Sequence, residues 1–454
     1  MFALLLILSL ALRLFRVNQG LWYDEIDTLL KFVRSDWLKI MTSVPVPNNH
    51  ILYTILAKVS IAWFGEREWS LRLPALIAGA LTPPVCFLLF RPRVKAAGAF
   101  WASLFMCLSF WMVWFSQDAR GYSGFILFCA LSQVLYLEWT ETQKTGTGVA
   151  YLLCAVAGFY FYFYAGFVIA GQIVFGSGKY LKDRKEQKAS LFMLPAAALI
   201  ISSLLYLPAL SDLTNYLGTK EARDLGGRWL DLRFLSELLK LLSGTGFLWF
   251  AIFLGVVFIL GLARLWKQWP GVCALYLLAG FFVVLFTWVM RVFIYPRFLS
   301  FLIPFFFLGV ACGLDSIEDL ARKFFPAWKP QVVRTVFAVL VCGFLIFGLA
   351  GYYKLGKQGF KPAAQYIDKN FPGAPVLSFG LADEEFLYYA PQAFPWPGSR
   401  PLSSNDLAGR LVVASHPWSW SPSNFERIRR DCRAEKIWPS AGYRENDVYL
   451  FRCF

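Results

Sequence analysis

Long apolar runs separated by short polar loops fill the first three quarters of the chain, and shorter alternating runs follow. Runs near the ~20 residues that a helix needs to cross a bilayer predict eleven membrane spans. They lie at 1–17, 70–90, 98–115, 122–138, 149–163, 165–178, 189–210, 247–265, 271–290, 296–313 and 334–352. The segment 149–178 fits one tilted helix or two short ones. The aromatic run Tyr160-Phe161-Tyr162-Phe163-Tyr164 before Ala165-Gly166 reads as an interface turn, so two are drawn. Ile51–Phe64 is short for a span and contains Lys58, which predicts an amphipathic helix lying in the interface plane. After the last span, Pro375–Phe379, Arg410–Ala414 and Asp447–Arg452 read as strands and Asn424–Arg433 as a helix. The expected organisation is a membrane domain over 1–352, with a long first outer loop at 18–69. A small α/β domain outside the membrane follows over 353–454.

Composition agrees with this class. The 454 residues are 58% hydrophobic and 18% aromatic, only 16% are charged, and mean hydropathy is +0.53. A soluble chain carries about a quarter charged residues. The net charge of +15 sits largely in short loops between spans, with no separate basic arm, so a nucleic-acid partner is not expected. Loops 91–97, 139–148, 179–188, 264–269 and 314–334 are about twice as dense in Lys and Arg as the opposite set, which includes 18–69 and 211–246. They are assigned to the cytoplasm, which places Asp24 and the tail outside. Arg13 and Arg16, within the first span, soften that bias. Met1–Leu12 lacks a basic n-region and a cleavage site, so it is expected to stay as the first span. Seven of the nine cysteines fall in apolar spans. Cys432 and Cys453 lie in the polar tail and are expected to form a disulfide there.

The chemistry is concentrated in a few polar groups. Gly20-Leu21-Trp22-Tyr23-Asp24-Glu25 sets two acids beside interfacial aromatics just after the first span. That is a poor way to continue a membrane helix and a good way to hold a carboxylate at headgroup depth; an ordinary pair of loop acids is the plain alternative. Arg120, in Phe115-Ser116-Gln117-Asp118-Ala119-Arg120-Gly121-Tyr122, either meets an anion through its planar fork or snorkels and pairs with Asp118. Arg72 at the start of the second span reads first as an interfacial anchor. Arg291 and Arg297, flanking Tyr295-Pro296, are open between anchoring and an anionic head group. His50, in Asn48-Asn49-His50, is weak evidence for a metal because no ligand spacing repeats, and His416 reads as structural. No phosphate-binding glycine loop, zinc-ligand array, nucleophile elbow or dinucleotide fingerprint is present. No acid lies near the middle of a predicted span, which argues against a proton- or ion-coupled pump.

Leu21-Trp22-Tyr23-Asp24-Glu25, Asn49-His50-Ile51-Leu52-Tyr53-Thr54, Phe64-Gly65-Glu66 with Leu71-Arg72-Leu73-Pro74, and Trp114–Tyr122 occur in that order. Together they resemble the bacterial relatives of dolichyl-phosphate-mannose–protein mannosyltransferases and aminoarabinose transferases, within the C-type glycosyltransferase superfold. The likeness is dense over 13–125. Beyond residue 180 it rests on hydropathy, the Tyr295-Pro296-Arg297 turn and an outer tail domain. It implies an inverting transfer from a polyprenyl-phosphate sugar to an envelope glycan, lipid or protein, on the outer face of a bacterial cytoplasmic membrane. The resemblance implies Asp24 as base with Glu25 beside it, and Arg120, then Arg72 and Arg297, as ligands of the donor phosphate. Substrate contacts are expected at His50, Tyr53, Gln117, Asp118, Tyr122 and Tyr295. No metal is required, although Asp24, Glu25 and His50 leave a divalent cation open. Asp27 stands where some relatives carry a basic residue, so substrate detail does not transfer. A lipid-linked sugar flippase or exporter, or a non-catalytic assembly subunit, is the competing reading; paired repeats with broken helices, typical of transporters, are not evident.

Overall fold

The computed structural model describes residues 1–44, 48–182, 189–219, 230–324, 329–381, 383–442 and 446–454. Parts of the loops used for orientation, at 183–188, 220–229 and 325–328, lie outside the described residues. The chain forms two compact units. The first comprises 1–15, 35–66 and 70–349; the second comprises 16–34, 67–69 and 350–454. The loop 18–69 is thereby divided, its acidic motif grouping with the tail.

The first unit is helical. Seven helices of the chain, among the described residues, are long and apolar enough to cross a membrane, which makes this a multi-pass membrane protein. All eleven predicted segments are helical, and 149–178 is two helices, Thr145–Phe161 and Ala165–Lys182. Phe2–Leu14 and Thr145–Phe161, at 13 and 17 residues, are apolar but shorter than a full crossing. The expected span 98–115 is not one rod. Ala96–Leu108 and Phe110–Ser116 meet at 62°. Ser109 is extended there, caps the second helix from its side chain, and lets Phe110 N–H donate to Gly244 O at 3.2 Å. Phe110–Ser116 is thus a separately aimed helix that leads into the Phe115–Tyr122 motif.

Leu248–Gln268 and Ile303–Phe324 lie against each other through glycine. A Cβ on Gly261 would come within 1.8 Å of Gly309 O, and one on Gly313 within 2.1 Å of Val257 O. Only bare backbone permits that approach, the usual device for packing helices in lipid. It anchors the Pro296–Leu302 turn that precedes the second helix and bears Arg297. Ile51–Phe64 is a helix as expected, and Ile51 and Ile55 pack with Ile40, Val44, Tyr206 and Ala209.

The second unit holds a five-stranded sheet of order β2-β1-β3-β5-β4. β1 (Val376–Gly380), β2 (Phe394–Pro397) and β3 (Leu411–Ser415) are parallel, while β5 (Val448–Cys453) runs antiparallel to β3 and β4 (Cys432–Trp438). Every residue of β1 and β3 is buried, as befits parallel strands covered on both faces. The helix predicted for 424–433 runs from Pro422 to Asp431, and Cys432 begins β4. β2 escaped the sequence reading because Pro395 and Pro397 demote it, yet an edge strand tolerates proline.

Cys432 and Cys453 face each other across β4 and β5 and are disulfide-bonded. Replacing both by serine is expected to cost the second unit about 3 kcal/mol, the loop-closure value for a bridge of this span. Hydrogen exchange of the sheet amides in the full-length protein measures it, and unchanged protection would refute it.

Candidate active site

A cationic cluster is built in the first unit around the Tyr122 ring. Asn49 first fixes the loop ahead of the Ile51–Phe64 helix. Its amide donates to Ile40 O at 2.8 Å and Ser43 O at 2.9 Å, and its oxygen accepts from Thr54 Oγ1 at 2.8 Å. Asn48 and His50 are then held on either side. Asn48 Oδ1 accepts from Arg120 Nη2 at 3.2 Å. His50 lies 5.1 Å from the Tyr122 ring, edge-on, and 4.8 Å from Tyr162.

Arg120 is buried, with its guanidinium 5.7 Å from the Tyr122 centroid. Arg297 sits 6.0 Å from the same centroid and 4.4 Å from that of Tyr295. Two guanidiniums therefore share one aromatic ring. Their cation–π contacts are worth about 0.5–2 kcal/mol each. Such an arrangement suits a multivalent anion. Burial first, then the charge of Arg120, holds the His50 imidazole well below the usual histidine range, and Arg297 adds to this.

A small, partly open apolar pocket adjoins this cluster, sharing Tyr162 and Phe298; its other walls include Tyr164, Leu213, Phe286 and Phe293. Phe298 also lies 5.6 Å from Tyr295. The aromatic turn at 160–164 was visible in the sequence, but not its place beside His50.

Other motif residues are engaged elsewhere in the same unit. Tyr53 donates its hydroxyl to Leu71 O at 2.5 Å, bracing the helix that holds the fully buried Arg72. Gln117 donates to Arg13 O and Phe15 O, both at 2.7 Å, and so closes the end of the first helix. Arg13 is itself buried, its Nε donating to Ser116 Oγ at 2.9 Å. Asp118 is buried, and its carbonyl accepts Arg120 N–H in a tight turn at 2.6 Å.

An acidic cluster belongs to the second unit. Leu21 N–H donates to the Tyr389 hydroxyl at 2.8 Å and Tyr23 N–H to Gln358 Oε1 at 2.7 Å, which clamps the motif in place. Glu25 is fully buried. It accepts from Trp22 N–H at 3.2 Å and lies 3.6 Å from the equally buried Lys357 ammonium. Asp24 is buried on the next position of the Tyr23–Thr28 helix, where Thr28 Oγ1 secures its carbonyl at 2.8 Å. Its neighbour Tyr23 meets the His416 ring edge-on at 5.4 Å. Burial pulls His416 down to about 4, partly opposed by the charge of Asp24, so this imidazole is neutral near pH 7. Sequence reasoning had no signal for Lys357, whose role depends on a partner more than 300 residues away.

Asp27 pairs with Lys31, and Glu385 lies close enough to feel both charges. Burial foremost, then Asp27, raises Glu385 from 4.5 to about 7, with Lys31 opposing. The folded state then holds a proton that the unfolded chain has released. Stability is expected to fall as pH rises from about 4.5 to 7 and to level off above, a change of about 3 kcal/mol. Glu385→Gln should flatten that segment of the unfolding profile, and an unaltered slope would refute the assignment. Among the described residues no three His, Cys, Asp or Glu side chains converge as a metal site.

No family model matches the chain, and no curated protein matches it in sequence. Solved structures do match. ArnT from Cupriavidus metallidurans, bound to undecaprenyl phosphate, aligns with TM-score 0.58 and 12% identity over 99% of this chain and 96% of its own. The archaeal oligosaccharyltransferase AglB from Archaeoglobus fulgidus, in complex with an inhibitory peptide and a dolichol-phosphate, aligns with TM-score 0.52 and 9% identity. That alignment covers 99% of this chain and 73% of AglB. The chain has the C-type glycosyltransferase fold. The fold expected from the motifs is therefore present, including the small sheet domain at the C-terminus.

Proposed function

We propose that this protein is a membrane glycosyltransferase that moves a sugar from a polyprenyl-phosphate donor to an envelope glycolipid, polysaccharide or protein. The observation that carries the reading is the pair of guanidiniums on Tyr122 next to an apolar pocket. One end of such a site suits a phosphate and the other an isoprenoid chain. In the same fold, ArnT was crystallised with undecaprenyl phosphate.

The roles follow from charge. Asp24 takes the proton of the acceptor hydroxyl as its oxygen attacks the anomeric carbon. The bond to phosphate breaks on the opposite face, which inverts that carbon. Arg120 and Arg297 hold the charge of the departing phosphate. Glu25, held by Lys357, keeps the motif in position. The basic-loop bias and the tail disulfide favour a reaction on the outer face of a bacterial cytoplasmic membrane.

The test is transfer by the purified full-length protein from undecaprenyl-phosphate hexoses, with undecaprenyl phosphate binding measured in parallel. Arg120→Lys keeps the charge but loses the planar fork that grips two phosphate oxygens. Donor affinity is expected to fall about tenfold, equivalent to about 1.4 kcal/mol, with insertion intact. An unchanged affinity for polyprenyl phosphate in this variant would refute the phosphate assignment.

A further inference from the structure

His50 presents a hydrogen-bond geometry that fixes what it can recognise. Its Nδ1 lies 2.9 Å from Phe161 O. A carbonyl oxygen only accepts, so Nδ1 carries the proton of the neutral ring. Nε2 is then a bare lone pair. It is buried, and among the described residues it has no hydrogen-bond partner. The ring cannot swing to relieve this. Tyr122 and Tyr162 pack against it, and the only backbone that fits beneath is glycine: a Cβ on Gly121 would meet Phe161 O at 2.4 Å and His50 Nδ1 at 2.7 Å. Protonation would turn Nε2 into a donor, but burial first, and then Arg120 and Arg297 nearby, disfavours another positive charge.

A buried acceptor with no partner is costly to keep and points to a group that arrives with the ligand. We infer that His50 Nε2 accepts a hydrogen bond from a hydroxyl or amino group of the donor's sugar, and so distinguishes the sugar-loaded carrier from the spent one. This rests on the polyprenyl-phosphate reading above. The phosphate itself is the wrong partner. A loaded carrier is a phosphodiester whose one acidic oxygen is ionised near neutral pH, and a phosphate beside two guanidiniums is held ionised, offering oxygens that only accept. A sugar hydroxyl or amine is the group on such a ligand that can donate. Once the sugar has moved, this bond is lost, and the spent carrier is held by its phosphate and chain alone.

The experiment measures binding of free undecaprenyl phosphate and of undecaprenyl-phosphate glucose, mannose and galactose to the full-length protein in nanodiscs. His50→Asn keeps an N–H for Phe161 O and deletes the Nε2 position; His50→Gln retains a polar group at that position. For the preferred loaded carrier, His50→Asn is expected to weaken binding about tenfold, with the free carrier unchanged within about twofold, and His50→Gln to recover part of the loss. Single-deoxy donors on wild-type protein give a reading that needs no variant. One position should cost wild type about tenfold and cost His50→Asn nothing further. Equal weakening of free and loaded carriers, no weakening of either, or no sensitive deoxy position would overturn the inference while leaving the transferase reading intact. Absence of binding by any carrier, free or loaded, would overturn both. Protonated phosphate as the true partner would show itself as a free-carrier affinity that His50→Asn reduces only at low pH, and that result also overturns the sugar assignment.

Discussion

Asp24→Asn is expected to lower turnover at least ~10²-fold, the low end of what a positioned general base contributes. The amide is nearly isosteric, so the Thr28 bond to the residue-24 carbonyl and the clamp on Leu21 and Tyr23 persist. What is lost is the ability to receive the acceptor's proton. Donor affinity should change little, because Arg120 and Arg297 carry the charge attributed to phosphate recognition. The measurement is single-turnover transfer at matched expression, with undecaprenyl phosphate binding as control. A variant with near-normal transfer sinks the assignment of Asp24. A flippase or an assembly subunit would tolerate the same change, so this one substitution separates the transferase reading from both competitors.

Lys357→Met is expected to destabilise the second unit by about 3–5 kcal/mol, because it takes the ammonium away from the Glu25 carboxylate at a fully buried position. The ion pair is not itself a large source of stability. Desolvation of both charges offsets much of their attraction, whereas removing one leaves the other uncompensated. The double variant Glu25→Gln/Lys357→Met should therefore recover most of the loss. Hydrogen exchange of the 350–454 sheet in the full-length protein reads both variants. A single variant as stable as wild type would show that Glu25 is neutral or differently partnered. Activity should follow stability here, since Glu25 sits beside Asp24 and fixes the start of its helix through Trp22 N–H.

Part of the site was legible in the sequence because the residues that form it are expensive where they stand. Arg120 among aromatics, two acids after a span, and Asn48-Asn49-His50 before an apolar helix each contradict a simple greasy pattern, and cost of that kind marks function. Arg120, Arg297, His50, Tyr122 and Tyr295 do come together. Tyr53 and Gln117 come from the same motifs, but their polar groups bind backbone carbonyls and brace helices. Sequence spacing cannot separate those uses, since a hydroxyl or amide in a motif looks the same whether its partner is ligand or main chain. Lys357 and Glu385 were missed, and His416 was read as structural, because their surroundings depend on residues that are far away along the chain and near in the fold.

Hydropathy alone determined that the chain is a multi-pass membrane protein, where its helices lie and that a strand-containing tail follows them. In lipid a backbone must satisfy its own hydrogen bonds, so a long apolar run has essentially one structure open to it. The tertiary structure decided what long-range partners control. Gly244 receives Phe110 N–H and breaks the third predicted span at Ser109. Pairing with β5 ends a helix at Asp431 and makes Cys432–Trp438 a strand. The carbonyl of Phe161 sets the tautomer of His50. Each of these is a single hydrogen-bond or packing contact between distant residues, and local periodicity has no means of encoding it.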